Sequence, residues 1–167
     1  MKTIVVAGGC FWGVEEYYRR CKGIESTKVG YAQSKMVSPK YEEVKTGSTE
    51  AVEAVLLEYD ENIISLEKIL EHLFRMIDPT SLNKQKYDVG TQYRTGVYYS
   101  DEEDKNLIEK YIIEEQKKYA QIIVVENNKL ENFYDAEEYH QLYLVKNPTG
   151  YCHIDFSLLK EDETKDS

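Results

Sequence analysis

A run of β-branched and small apolar residues, Thr3-Ile4-Val5-Val6-Ala7, breaks at Gly8-Gly9. It passes directly into Phe11, Val14, Tyr18 and Cys21, spaced three, four and three residues apart. The run reads as a strand, the glycine pair as a turn and the spacing as one face of a helix, with Gly23 as its C-cap. This strand–turn–helix start constrains the fold most, because both elements must bury an apolar side and each can do so against the other. The rest of the chain repeats the pattern less regularly. Residues 26–32, 51–59, 93–99 and 122–126 read as strands. Leu66, Ile69, Leu70, Leu73, Phe74 and Ile77 form a helical stripe, N-capped by Ser65 and ending before Pro79. Ser100-Asp101-Glu102-Glu103 reads as a capping box opening a helix to about residue 119. Residues 136–145 read as a last short helix. The expected fold is α+β: a mixed sheet with helices packed on it, in a single domain over residues 1–159, with a polar, disordered tail over 160–167.

The chain carries a net charge of −10 with its Lys and Arg scattered, which argues against nucleic acid or an anionic membrane as partner. No apolar run approaches the roughly 18 residues of a membrane helix. The apolar run at the N-terminus is too short for a secretory signal, so the chain is expected in the cytoplasm, as a monomer. The three cysteines are far apart and odd in number; in a reducing compartment they are free thiols unless they are catalytic. No C-x-x-C, H-x-x-x-H or glycine-rich phosphate loop occurs, so neither a metal nor a cofactor is expected.

Cys10 falls where the first helix begins. Unpaired backbone N–H groups and the positive end of the helix dipole favour a thiolate there. The dipole contributes about 0.3–1 kcal/mol, less than one pKa unit, so position alone makes the thiol more reactive without ionising it. The alternative is a buried, inert cysteine. Phe11 belongs to the apolar stripe. Trp12 lies off it, free either to wall a small apolar pocket or to pack against a loop. Cys21 sits near the face of Cys10 but about 16 Å along the axis. A disulfide needs Cα atoms roughly 4.4–6.8 Å apart, so Cys21 is expected in the core. Cys152 follows the turn Asn147-Pro148-Thr149-Gly150 in a segment able to move toward an oxidised thiol.

Glu53 shares a strand face with Ala51, Val55, Leu57 and Tyr59. A carboxyl in that company is either paired or shifted up toward neutral pH by burial. The alternative is an edge strand with Glu53 in water. His72 falls on the polar side of its helix and is expected in solvent. His140 and His153 show no ligand spacing. Tyr41 and Tyr93 sit beside loops, from which they can donate hydrogen bonds to a ligand.

Gly9-Cys10-Phe11-Trp12-Gly13 resembles the signature of the peptide methionine sulfoxide reductase A family. The similarity continues in order through Gly30-Tyr31, Tyr41-Glu42-Glu43-Val44, Glu53-Ala54-Val55, Asp78-Pro79 and Asp88. It runs on through Gly90-Thr91-Gln92-Tyr93-Arg94, His140-Gln141, Lys146-Asn147-Pro148 and Gly150-Tyr151-Cys152. The resemblance implies a ferredoxin-like, two-layer α/β sandwich. It also implies reduction of the S epimer of methionine sulfoxide, free or in proteins. In that reading Cys10 is the nucleophile and passes through a sulfenic acid. Glu53 is the proton donor, Tyr41 and Tyr93 bond the sulfoxide oxygen, Asp88 orders the site, and Phe11 and Trp12 hold the S-methyl group. Cys152 is the resolving thiol of a Cys10–Cys152 disulfide that thioredoxin, or dithiothreitol, reduces. The chain departs from the family pattern at Glu50-Ala51-Val52, Val89 and Lys45. The absence of a cysteine after Cys152 implies a two-cysteine cycle. A thiol peroxidase and a non-catalytic cysteine redox sensor are the competing readings.

Overall fold

The computed structural model describes residues 1–165. In chain order the elements are β1 (Lys2–Gly8), α1 (Phe11–Arg19), β2 (Ile24–Ala32), α2 (Tyr41–Val44), β3 (Val52–Tyr59) and α3 (Leu66–Met76). A small hairpin follows, β4 (Lys84–Gln85) and β5 (Asp88–Val89). Then come β6 (Thr95–Tyr99), α4 (Glu102–Gln116), β7 (Glu126–Lys129), β8 (Phe133–Asp135) and α5 (Tyr143–Lys146). Among the described residues the main sheet has the order β7-β6-β1-β3-β2-β8. All its pairs are antiparallel except β6 with β7, so the sheet is mixed, as expected.

The central strands are covered on both faces, which is why β1 and β3 read as nearly continuous apolar runs. On one face Ile4, Val6, Val55 and Leu57 meet Phe11, Val14, Tyr17 and Tyr18 of α1 and Ile69, Leu70 and Leu73 of α3. On the other, Val5, Ala7, Val52, Ala54 and Tyr98 pack together under Leu130 and Phe133. The Ser65 side chain caps α3 by accepting from the Lys68 N–H at 3.1 Å.

Several sequence-based boundaries move. Residues 91–93 make a single 3-10 turn before β6, where a strand from residue 93 is predicted. The cap of α4 is Asp101, which accepts from the Glu103 N–H at 3.0 Å, and the helix ends at Gln116. The fifth strand begins at Glu126, because residues 123 and 124 spend their N–H groups on the Gln116 side chain and the Pro79 carbonyl. The predicted helix over 136–145 is divided by Leu142 at φ +52° into a 3-10 turn (Glu138–His140) and α5.

The predicted disordered tail is corrected as far as residue 165. Glu163 takes a bidentate pair from Arg75 at 2.8 and 2.9 Å and a bond from Lys68 at 2.7 Å. The Glu163 carbonyl accepts from Lys22 N–H at 2.9 Å, and Thr164 bridges Cys21. Composition marks this segment as polar; the partly exposed cations Arg75 and Lys68 on α3 are what dock it. Asp166 and Ser167 lie outside the described residues. His72 is also corrected: it is buried, with its Nδ1 2.9 Å from the Tyr17 hydroxyl, and burial lowers its pKa to about 4.

Candidate active site

Sheet register gathers three chain segments at one end. Gly8 pairs with Thr95 and Tyr31 with Glu53, so the exit of β1, the start of β3 and the turn before β6 lie together. Gly9 makes the turn at φ +89°, in the left-handed region, and a Cβ there would lie 2.9 Å from Gln85 Cβ. The turn delivers Cys10 to the N-cap of α1. The Trp12 backbone N–H favours the thiolate, as a helix start should, but the sulfur makes no capping hydrogen bond and Cys10 is only 8% exposed. Burial pushes the thiol well above its ordinary value, and Glu53 pushes it further; both outweigh the Trp12 N–H. The expectation of a thiol made more acidic by its position is therefore corrected. The helix contribution is real but small, and removal from water is larger.

Glu53 faces the helices with Val55 and Leu57, and the edge-strand alternative is excluded because β3 lies between β1 and β2. Its carboxyl is 1% exposed. One oxygen accepts from the Phe11 N–H at 3.3 Å and the other from Gln92 Nε2 at 2.8 Å. Neither donor is charged. Burial raises the carboxyl to about 8 despite both bonds, which pull the other way.

Tyr41 and Tyr93 share a hydrogen bond, and both sense the charges of Glu53 and Cys10; burial raises both phenols. Phe11 is in the core, 5.8 Å from the ring of Tyr31. Trp12 stacks on Tyr143 with centroids 3.7 Å apart and planes within 10°, and its Nε1–H donates to His140 Nδ1 at 3.0 Å. His140 is neutral, its pKa lowered by burial, and its ring also meets Phe11 and Tyr41. Two polar ties hold this wall. Gln141 exchanges two bonds with the backbone of Val29, at 3.0 and 2.8 Å, and Glu15 accepts from Leu142 N–H at 2.8 Å. Trp12 thus both packs against a loop and stands at the site.

Cys152 is half-buried and, like the buried Cys10 and Cys21, a free thiol. Its sulfur lies 2.7 Å from where a Cβ on Gly13 would stand, so it rests on the first turn of α1, near enough for its charge to act on Cys10. Burial raises its pKa as well. Asp88 accepts from the hydroxyl of Tyr151 at 3.0 Å, tying the β4–β5 hairpin to the residue before Cys152. Cys21 is core, its S–H directed at the Tyr17 carbonyl at 3.4 Å.

The fold therefore brings Cys10, Phe11, Trp12, Tyr41, Glu53 and Tyr93 together and sets Cys152 and Asp88 at their border. The sequence assigned no role to Gln92, His140, Tyr143 and Tyr151, although Gln92, His140 and Tyr151 stand in the segments that match the family. The lone Trp off the stripe carried a usable signal for two of them, because a half-buried indole N–H needs an acceptor. Among the described residues no cluster of His, Cys, Asp and Glu could hold a metal, and no helix is long and apolar enough to cross a membrane.

A buried thiol beside a proton-carrying carboxyl and two phenols can break a polar bond to oxygen while the oxygen is protonated, which is reductase chemistry. Comparison with known proteins specifies it. Residues 2–167 match the family model described as peptide methionine sulfoxide reductase. The peptide methionine sulfoxide reductase MsrA of Clostridium botulinum is 59% identical over 154 residues, 92% of this chain and 98% of the relative. That of Mycoplasma genitalium is 54% identical over 156 residues, 93% and 99% of the two chains. Mxr1 from Saccharomyces cerevisiae in reduced form superposes with a TM-score of 0.86 at 42% identity, covering 90% of this chain and 88% of that one. Methionine sulfoxide reductase A of Corynebacterium diphtheriae gives 0.82 at 31% identity, covering 90% and 77%. The chain belongs to the peptide methionine sulfoxide reductase family, and its activity is the reduction of methionine sulfoxide.

Proposed function

We propose that the chain reduces the S epimer of methionine sulfoxide, free and in proteins, and that each gathered residue has one task. Cys10 attacks sulfur. Glu53 supplies the proton, and Tyr41 and Tyr93 hold the sulfoxide oxygen. Phe11 and Trp12 receive the S-methyl group, Asp88 orders the border of the site, and Cys152 resolves. The observation that carries this reading is Glu53, raised to about 8 by burial, and hence protonated at neutral pH beside the thiol.

A charged Glu53 raises the Cys10 thiol further, so the two do not readily ionise together. Glu53 passes its proton to the sulfoxide oxygen, and the Cys10 proton replaces it on the carboxyl as sulfur bonds to sulfur. The oxygen with its new proton then passes to the Cys10 sulfur: a Cys10 S–O bond forms while the substrate S–O bond and the sulfur–sulfur bond of the adduct both break, methionine leaves, and Cys10 is left as a sulfenic acid. Cys152 then bonds to the Cys10 sulfur; the second S–O bond breaks and the oxygen leaves as water. An external dithiol, thioredoxin or dithiothreitol, reduces the disulfide. The solved complex of Mxr1 with Trx2, 29% identical to this chain at a TM-score of 0.62, supports thioredoxin as the cellular reductant. Epimer choice follows from fixing two sulfur substituents, methyl and oxygen, while the thiol approaches from a third direction.

The test is a single turnover without reductant, run separately with the S and R epimers of methionine sulfoxide. The expected result is one methionine per chain from the S epimer alone, with loss of two thiols and a Cys10–Cys152 link in the peptide map. Equal use of both epimers overturns the stereochemical assignment. Methionine without a disulfide overturns the resolving role of Cys152.

A further inference from the structure

Three consecutive side chains of the C-terminal segment straddle the start of α1. Cys152 and Ile154 lie on its Gly13 side, each with an atom 2.7 Å from where a Gly13 Cβ would stand. His153 reaches the other side, into the turn before Cys10. Its Nε2 is 2.8 Å from the Gly8 carbonyl and 3.0 Å from the position of a Gly9 Cβ. A carbonyl only accepts, so Nε2 carries the hydrogen and donates it. The ring is 4% exposed, and its other nitrogen, Nδ1, is buried with no partner. A buried acceptor left unpaired weighs against histidine in this slot. An apolar side chain would fill the space without that loss, so the bond to Gly8 is what histidine adds.

That bond joins the residue after Cys152 to the residue two before Cys10. The sulfur of Cys152 itself is held only weakly. It accepts from the Ile154 N–H at 3.3 Å, within its own segment, and rests on Gly13. We propose that His153 is a positioning residue for the resolving step: it pins Cys152 over the first turn of α1, within reach of the Cys10 sulfenic acid. This rests on Cys152 being the resolving thiol. The step it serves joins the two sulfurs, breaks the Cys10 S–O bond and releases water that carries the Cys152 and sulfenic protons. The oxidising equivalent comes from the sulfoxide already reduced. His153 takes no part in the reduction of the sulfoxide, which uses groups on β3, α1 and the segments bearing Tyr41 and Tyr93.

The experiment is a single turnover of the full, reduced chain with methionine S-sulfoxide, quenched over time. Methionine is measured by chromatography, Cys10 sulfenic acid by dimedone trapping, and the disulfide by mass spectrometry. His153→Met fills a similar volume without a donor, and His153→Gln restores an N–H at the Nε2 position. In His153→Met, methionine should form within about threefold of the wild-type rate, while disulfide closure slows at least about tenfold and the dimedone adduct accumulates. His153→Gln should recover most of the closure rate. Equal closure in His153→Met and wild type overturns the pin. So does a fall in closure that His153→Gln fails to rescue while its thermal melt matches wild type, since the donor would then be irrelevant. A wild-type chain that makes methionine but no disulfide overturns the resolving role of Cys152 instead.

Discussion

Two glutamates, one buried and one partly buried, end in opposite states. Glu53, at the start of β3, meets only neutral donors, the Phe11 N–H and the Gln92 amide, and burial lifts it to about 8. Glu163, on the C-terminal segment against α3, meets the Arg75 guanidinium and the Lys68 ammonium, and these hold it far below the ordinary carboxylate range. Burial is complete for Glu53 and shallower for Glu163, and the charge of the hydrogen-bond donors differs as well. A neutral donor softens desolvation and leaves a proton available for transfer. A cation cancels desolvation and makes a permanent anion, useful as an anchor. The chain uses the first in the site and the second to tie down the segment that carries Cys152.

The largest expected effect breaks the first half of the comparison. Glu53→Gln keeps the shape and removes the transferable proton, so single-turnover methionine formation should fall about 10²–10⁴-fold. In the wild type the same rate should hold below the folded Glu53 value of about 8 and fall about tenfold per pH unit above it. A wild-type rate that rises through pH 8 would assign the proton to another group. Stability should move the opposite way. The folded chain holds the Glu53 proton more tightly than the unfolded one, so the cost of this residue is absent at pH 4.5 and grows until about pH 8. Urea denaturation at pH 9 should find Glu53→Gln more stable by something on the order of 2–5 kcal/mol, with the difference vanishing near pH 4.5.

Glu163→Gln breaks the second half and should lower stability by about 2–3 kcal/mol at pH 7. Its sign with pH is reversed. A depressed folded value means the contribution is complete above the unfolded carboxylate value of about 4.3. It disappears as pH falls through the lower folded value. Melts of variant and wild type should therefore converge in acid, where those of Glu53→Gln also converge; only the alkaline side separates the two glutamates.

Gly13→Ala sharpens the contrast at the other end of the same segment. Its new methyl meets Cys152 and Ile154 at 2.7 Å, so a loss of about 1–3 kcal/mol is expected. Slower closure of the Cys10–Cys152 link should accompany it, read by free-thiol counts. The smallest effect belongs to His72. Burial holds it near 4, so its contribution is full above the unfolded histidine value of about 6.5 and declines as pH falls from there. Relative to His72→Gln, the wild type should lose about 1–2 kcal/mol on going from pH 7 to pH 5.

Much of this was legible in the residues. The Thr3–Ala7 run, the glycine turn, the α1 and α3 stripes and the Ser65 cap are local patterns whose periods depend only on neighbours along the chain. The apolar company of Glu53 on its strand face was enough to pose the question of burial, and the geometry of a helix was enough to separate Cys21 from Cys10. The signature around Cys10 and the ordered matches along the chain pointed to the family.

Three things were decided only by tertiary structure. Whether Glu53 is wet or dry depends on which strands flank β3, and these pair across tens of residues. Whether Cys10 is acidic depends on how much water the fold removes, and that exceeds what a helix end supplies. Whether residues 160–165 stay ordered depends on Arg75 and Lys68, nearly a hundred residues earlier in the chain. The sequence by itself determined which groups exist and which local elements carry them. Solvation and charge pairing, which set the protonation of those groups, are sums over neighbours in space, and only the folded chain brings those neighbours together.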